Sequence, residues 1–519
     1  MTSNPAAALR MLITYAICVP VAILLGYTLT DVGNNPNYSN LFIVGLIVGF
    51  LLLPVLLKWH YPIMVLGLGC PITMFFLKGS PPLSQVVVII SLGIAIVERA
   101  ANSQKRFISA PSMTWAMIFT AAIVLFTAKM TGGIGLHTLG GDVGGGKKYI
   151  VVFLGVATYF ALTSRVIPKQ KRGLYVALFL LAGLPAFLGD LSALMPSPLS
   201  YLGLLIRPSI STKDGAVEIG VTRMGAFATS ASVVAGYLLA KYGIRGIFSS
   251  GKAWWRLPFF LLMLTLSFLG GFRNIFLGFV AICSLLFFME GLHRTRLLPI
   301  FLFIGLICAS LIVPLAGKLP FTFQRVLSVV PLVQVSQEAK SSAEGSSEWR
   351  LRIWRELWPQ VPGYLLLGKG YALTADDMTM MGRDSAFAAE GQRDASQEAL
   401  AISGDYHSGP LSTLIPFGLW GGISIIWIAL AGWRILYRNY KYGDPELRTV
   451  NAFFLAGYIW HVVCFCFIFG AYGGDVTSFA ATIGFSLALN GGICRPQPGL
   501  QPNAIPQTQS LPLMRPQLT

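Results

Sequence analysis

Charge is what this sequence has least of. Of 519 residues, 11% are Asp, Glu, Lys or Arg and 55% are hydrophobic, whereas an ordinary soluble domain carries roughly 25% charge. That deficit excludes a water-soluble multidomain enzyme, and it excludes a disordered chain, which lacks apolar residues rather than charge. Acid is scarcer than base, with 21 Asp+Glu against 38 Lys+Arg and a net charge of +17. Seven Cys stand at positions 18, 70, 283, 308, 464, 466 and 494, nearly all within apolar runs, with no CxxC spacing and no His in metal-ligand order. Neither a disulfide framework nor a zinc site follows from that pattern; buried free thiols do.

What is abundant is long apolar runs. A helix needs about 20 apolar residues to cross a bilayer. Runs of that kind open near Ala8, Asn40, Tyr61, Leu83, Ser112, Tyr149 and Leu174, then near Met224, Leu257, Ile275, Leu297, Leu411, Asn451 and Val476. The reading is an all-α polytopic membrane protein with about 14 (12–14) transmembrane helices. Those opening at Tyr61, Leu83, Tyr149 and Ile275 are short, so one or two are candidates for re-entrant segments. The first run is too long for a cleaved signal segment and reads as a retained helix.

The basic excess has a membrane explanation. Lys and Arg concentrate in alternate connections: Arg99, Lys105 and Arg106; Arg165, Lys169, Lys171 and Arg172; Lys241, Arg245, Lys252 and Arg256; Arg294 and Arg296; Arg434, Arg438, Lys441 and Arg448. Arg10, Lys58, Arg495 and Arg515 fall on the same side, which then holds more than half of the 38 basic residues. Cationic loops stay cytoplasmic, so both termini are expected there, and no nucleic-acid partner is needed to account for +17. The opposite side has two long connections, about 196–222 and about 318–410. The second spans about 90 residues, well beyond the usual ~12–15 of a structureless connection, and should be a functional lid or small subdomain. The expected organisation is helices over 1–317, a large external loop over 318–410, helices over 411–494 and a disordered tail over 495–519.

Four external features carry polar chemistry. Arg223, in Val-Thr-Arg-Met-Gly-Ala-Phe (221–227), stands at the outer mouth of a run; a guanidinium there binds phosphate with paired donors, or else snorkels to lipid headgroups. Arg273 lies in the tight turn Leu-Gly-Gly-Phe-Arg-Asn (269–274), where it points into a cavity or is a simple turn charge. Arg350, Arg352 and Arg355 ride on Glu348–Trp358, an amphipathic helical stretch in the large loop. Arg350 and Trp354 share a face; the alternative is a basic face on anionic lipid. His407, in Gly-Asp-Tyr-His-Ser-Gly-Pro (404–410), sits where the large loop re-enters the membrane. It can serve as general base or be an ordinary hydrogen-bonded loop residue, and Asp405 is a weaker candidate to orient it.

Taken in order, Arg223-x-Gly225-x-Phe227, Arg273, Arg350-x-x-x-Trp354, Gly368-Lys-Gly370, His407 and Phe417-Gly-Leu-Trp-Gly-Gly422 resemble the O-antigen ligase / polysaccharide polymerase family, over about residues 220–425. This chain departs from the family pattern in having Ser408 after the His, where Asn is frequent, and Thr229-Ser230 where Pro-Asn is frequent. The resemblance implies a GT-C-like membrane glycosyltransferase at the outer face of a bacterial inner membrane. It would take a glycan from a polyprenyl-pyrophosphate donor to the sugar hydroxyl of a glycan or lipid-glycan acceptor. It also implies catalysis by His407, Arg350 and Arg223, and donor binding by Arg223, Arg273, Arg350 and Arg352, with no metal and no cofactor. Asp376-Asp377 is the nearest approach to a metal-binding Asp-x-Asp pair, and its acids are adjacent rather than alternating. Besides the donor and acceptor, membrane lipid is the expected partner. A chain polymerase is the near alternative; a flippase or transporter is the distant one, and the unlike halves and rare mid-span charges speak against it.

Overall fold

The computed structural model describes residues 47, 53–77, 79–102, 104–134, 145–195, 199–209, 223–248, 253–295, 297–373, 404 and 406–496. These residues are overwhelmingly helical. Isolated bridges, among them Ile72 with Ile206 and Thr73 with Pro82, are the sole extended pairing among the described residues. The helices are α1 (Leu53–Gly67), α2 (Leu83–Ala101), α3 (Pro111–Thr131), α4 (Gly146–Thr163), α5 (Arg172–Leu180), α6 (Phe187–Leu194), α7 (Gly225–Phe248) and α8 (Arg256–Leu266). There follow α9 (Arg273–Met289), α10 (Leu297–Leu315), α11 (Phe321–Leu327), α12 (Gln337–Leu357), α13 (Gly409–Tyr442), α14 (Arg448–Phe467) and α15 (Tyr472–Asn490).

Among the described residues six helical stretches are long and apolar enough to cross a membrane: α2, α3, Lys169–Leu194, Leu297–Lys318, α13 and Pro445–Phe467. Arg256–Gly270 and Arg273–Met289 are shorter apolar helices. Three expected runs differ in detail. The run opening at Tyr61 is helical only to Gly67, because Gly69 and Pro71 break it and Thr73 then bridges to Pro82. The run opening at Leu174 divides into α5 and α6 at Gly183-Leu-Pro. The amphipathic stretch 348–358 is the last half of a longer helix, α12, whose N-cap Ser336 accepts the Ala339 N–H. The spans expected near Ala8 and Asn40, and the tail after 496, lie outside the described residues.

In lipid the apolar effect does not drive helices together; close backbone approach and interhelical hydrogen bonds do. The centre shows both. Helix α4 lies against α15, and a Cβ on Gly155 would come within 2.9 Å of Thr477 Oγ1, one on Gly484 within 3.0 Å of Leu162 Cβ. Around that seam Val152, Leu162, Phe479, Ala480 and Ile483 are buried. At one end α13, α14 and α15 are tied by amides: Asn439 donates to Ser486, Asn451 to the Asn439 carbonyl, and Asn490 to Asn451. By contrast Leu302, Phe303 and Leu306 on α10 are each about two-thirds exposed, as a lipid-facing helix requires.

Helix α13 is broken at Pro416–Gly418, where Gly418 takes φ 61° and ψ −157°. The segment 365–370 pairs with the break: Leu419 N–H donates to Leu365 O at 2.7 Å, Lys369 N–H to Ile415 O at 2.7 Å and Gly370 N–H to Pro416 O at 3.0 Å. Irregular backbone at membrane depth persists only where its polar groups are satisfied in this way. Gly368 and Gly370 are both left-handed, and a Cβ at either would meet Pro416 O or Thr131 Oγ1 at 2.1 Å. The Gly-x-Gly and Phe-Gly-Leu-Trp-Gly-Gly motifs are therefore two halves of one joint that seats the large loop on the bundle.

Candidate functional site

The site is assembled around the turn between α8 and α9. Gly271 occupies the left-handed region at φ 65°, and a Cβ placed there would lie 3.7 Å from Arg223 Nε and 3.6 Å from Arg325 Cδ. Arg223 donates from Nε to Gly270 O at 3.1 Å and lies over the Phe272 ring, 5.1 Å from its centroid. Arg273 leaves the same turn and donates from Nη2 to Ala343 O (2.9 Å) and Ser347 Oγ (3.1 Å) on α12. Arg350 follows Ser347 by one helical turn on that face. Its Nη1 donates to Ile468 O at 3.4 Å, in the turn between α14 and α15, and it lies close enough to Arg273 for the two charges to repel.

Why Arg223 is held there becomes clear one layer down. Asp190 is fully buried and accepts from Ser209 N (2.8 Å), Ser209 Oγ (2.9 Å) and Phe227 N (3.0 Å). Ser209 Oγ in turn accepts the Ala226 N–H at 2.6 Å. Together they cap the first turn of α7, whose N–H groups have no intrahelical acceptor. A Cβ at Gly225 would meet Ser209 Oγ at 2.9 Å. Gly225 and Phe227 thus fix the helix start that carries Arg223, and Phe227 does so through its backbone.

His407 closes the site from the other side. It takes φ 50°, uncommon outside glycine though tolerated by His. Its ring stands edge-on to Trp349 at 5.1 Å and to Phe469 at 4.8 Å. Trp354 Nε1 donates to Tyr406 O at 3.1 Å, so α12 holds the backbone before His407 as well as one wall of its ring. Burial lowers the Arg350 guanidinium from its ordinary value, which still leaves it charged at neutral pH. Among the described residues its Nε has no hydrogen-bond partner.

Arg223, Arg273, Arg350 and His407 are thus gathered around α12 and the 270–273 turn. Arg352 is not: it is exposed on the opposite face of α12, lining a shallow surface hollow with Glu348, Leu351, Arg355 and Glu356, because residues two apart on a helix do not share a face. Asp405, Asp376 and Asp377 lie outside the described residues. Among the described residues no group of three or more His, Cys, Asp or Glu could hold a metal ion.

Sequence reasoning missed Asp190 and three further residues. Arg325 on α11 reaches Gly271 from a stretch (Phe-Thr-Phe-Gln-Arg) without a distinctive pattern. Gln324 beside it anchors the loop, donating to Gly317 O and Leu319 O and accepting the Ser336 N–H. The other two are His461 and Asp475, 2.6 Å apart at the start of α15. Asp475 also accepts the Ala471 N–H at 2.7 Å, which shapes the 468–471 turn that carries Ile468 O and Phe469. A carboxylate and an imidazole on successive apolar helices were the available signal, since such residues at membrane depth are costly.

The architecture defines a class: a multi-pass, all-helical membrane protein with arginines drawn together beneath a helix of its large connection. Residues 258–426 match a family model described as O-antigen ligase (Wzy_C), so this segment is similar to the family that the motifs resemble. Arg273, Arg325, Arg350, His407 and the paired glycine motifs fall within it; Arg223, Asp190, His461 and Asp475 fall outside. No curated protein matches the chain.

Proposed function

We propose that the protein is a glycosyltransferase that moves a glycan from a polyprenyl-pyrophosphate lipid to the hydroxyl of an acceptor sugar, on the outer face of a bacterial inner membrane. The observation that carries this reading is the gathering of Arg273 and Arg350 at one place, where their hydrogen-bond partners among the described residues are carbonyls and a hydroxyl. Neither makes an ion pair with a carboxylate among the described residues. Two guanidiniums held together against their mutual repulsion provide a site for an anion with several oxygens, and a pyrophosphate supplies them.

In the reaction the acceptor oxygen forms a bond to the anomeric carbon as the bond from that carbon to the pyrophosphate oxygen breaks. The pyrophosphate leaves with the electron pair. Arg223, Arg273 and Arg350 offset the charge that grows on it; donors fixed beforehand in a water-poor site do this most effectively. His407 takes the proton from the acceptor hydroxyl, and its position between Trp349 and Phe469 fixes the ring's direction. Single displacement inverts the anomeric centre. Ligase and chain polymerase differ only in whether the acceptor is a different glycan or another copy of the donor's glycan.

The test is transfer by purified protein in liposomes supplied with a polyprenyl-pyrophosphate glycan and candidate acceptors, with and without chelator. Formation of a glycosidic product whose identity follows the acceptor supports the reading. Translocation of the donor across the bilayer without product would replace it with transport.

A further inference from the structure

A second basic site stands at the other end of α4. That helix begins beside Tyr371, where Tyr149 OH accepts the Tyr371 N–H, and runs 18 residues, about 27 Å at 1.5 Å per residue, away from the candidate site. Its far end, the end of α2 and the connection 104–110 enclose a pocket of about 380 Å³ lined by Glu98, Arg99, Lys105, Arg106, Phe107 and Arg165 among others. Four cations face one acid. Glu98 pairs with Lys105 at 3.1 Å and Arg165 at 2.5 Å. Arg99 rests on the Phe107 ring, and Arg106 is exposed and makes no ion pair among the described residues.

The ordinary account of these residues is that they offset helix C-termini, since α2 and α4 both end here. A C-terminus carries about half a negative charge. Two of them with Glu98 sum to about two negative charges against four positive, leaving about two positive charges unmatched at a pocket. The wall beside it is apolar and uncovered: Ile96 is 55%, Val97 68% and Val166 55% exposed.

We propose that this pocket binds the phosphate headgroup of an anionic phospholipid whose acyl chains lie along the exposed face of α2. Basic hollows at the membrane boundary collect anionic lipid at a strength set by each nearby Lys or Arg. The apolar wall favours a lipid over a soluble phosphate, which would gain nothing from Ile96 and Val97. Arg99 and Arg106 are the cations not engaged by Glu98, so they take the phosphate oxygens, while Lys105 and Arg165 keep Glu98 in place.

Binding is read by native mass spectrometry and by thermal stabilisation of the full chain. The titrants are phosphatidylglycerol, phosphatidylcholine with the same chains, and inorganic phosphate. Phosphatidylglycerol should bind and stabilise, with phosphatidylcholine weaker by tenfold or more. The double variant Arg99→Gln, Arg106→Gln should weaken phosphatidylglycerol roughly thirtyfold, whereas Arg99→Lys, Arg106→Lys retains most of it. Both positions are exposed, so the fold tolerates the changes. Equal binding of the two lipids, or an unaltered double Gln variant, overturns the proposal. Stabilisation by inorganic phosphate equal to that by phosphatidylglycerol overturns it in favour of a soluble ligand.

Discussion

The two ends of the helix bundle use the same side chains in opposite ways. At one end arginines meet carboxylates: Arg165 bonds Glu98, and Arg172 bonds Asp444 at 2.8 Å. At the other, Arg273 and Arg350 meet backbone carbonyls and a serine hydroxyl. A carboxylate cancels a guanidinium's charge, whereas a carbonyl only orients it. Among the described residues, arginines of the first kind join helices through carboxylates, and those of the second kind have no carboxylate partner. The count of basic residues does not distinguish these uses, and Arg256, which donates to Gly246 O at the first end, shows that a carbonyl partner alone does not either.

Substitutions that act on this contrast should rank accordingly. The largest effect is expected from His407→Ala, which should abolish transfer in reconstituted liposomes while the protein still inserts and binds donor; wild-type rates would remove His407 from the chemistry. Next, Arg350→Ala should lower the initial rate by about 10²–10³, and Arg350→Lys nearly as much, since Lys cannot reproduce a paired donor geometry. A fully active Lys variant would reduce Arg350 to a surface charge.

Asp475→Asn should cost about 10²-fold in kcat with KM for the acceptor little changed, because it loosens the 468–471 turn and misplaces Arg350 and His407 by a fraction of an ångström or more. Asp475→Glu should recover part of the rate if the hydrogen bond to Ala471 N–H is what matters. Smaller still, Gly418→Ala should lower thermal stability by about 1–3 kcal/mol, since φ 61° is left-handed and the new Cβ would meet Leu365 O at 2.5 Å.

The opposite end supplies the control. Arg172→Ala should leave transfer rates unchanged and cost about 1–3 kcal/mol of stability, since a charged hydrogen bond to a largely buried carboxylate is lost. The hydrogen bond from Arg172, seconded by the Glu446 N–H and the Lys169 charge, holds the Asp444 carboxyl below its ordinary value. A lowered carboxylate pKa means stability present above the unfolded value of about 4 and lost as pH falls through the folded one. Acid unfolding of the wild type between pH 5 and 3 should therefore show a component that Arg172→Ala lacks. An identical acid profile would show that this pair is idle.

The candidate residues were legible because membrane proteins restrict polar residues. Against so apolar a background, Arg223, Arg273, Arg350 and His407 were visible one by one, and the structure brings all four to α12 and its neighbouring turns. Arg352 shows the limit: two positions from Arg350 in sequence, it lies on the other face of the helix. Asp190 and Arg325 were invisible for a different reason. Asp190 acts through backbone N–H groups of residues 209 and 227, and Arg325 through proximity to Gly271, and neither relation leaves a local pattern. The glycines of 368–370 and 417–422 read as motifs, but their pairing across the break in α13 is a non-local backbone contact.

The sequence by itself determined that the chain is helical and membrane-embedded, and which basic residues were candidates, because apolar run length and charge scarcity are properties of the chain alone. The tertiary structure decided which of the described arginines meet a carboxylate and which do not. That depends on whether a carboxylate or a carbonyl lies within about 3 Å, the range over which a hydrogen bond forms, and helices distant in sequence supply the partner.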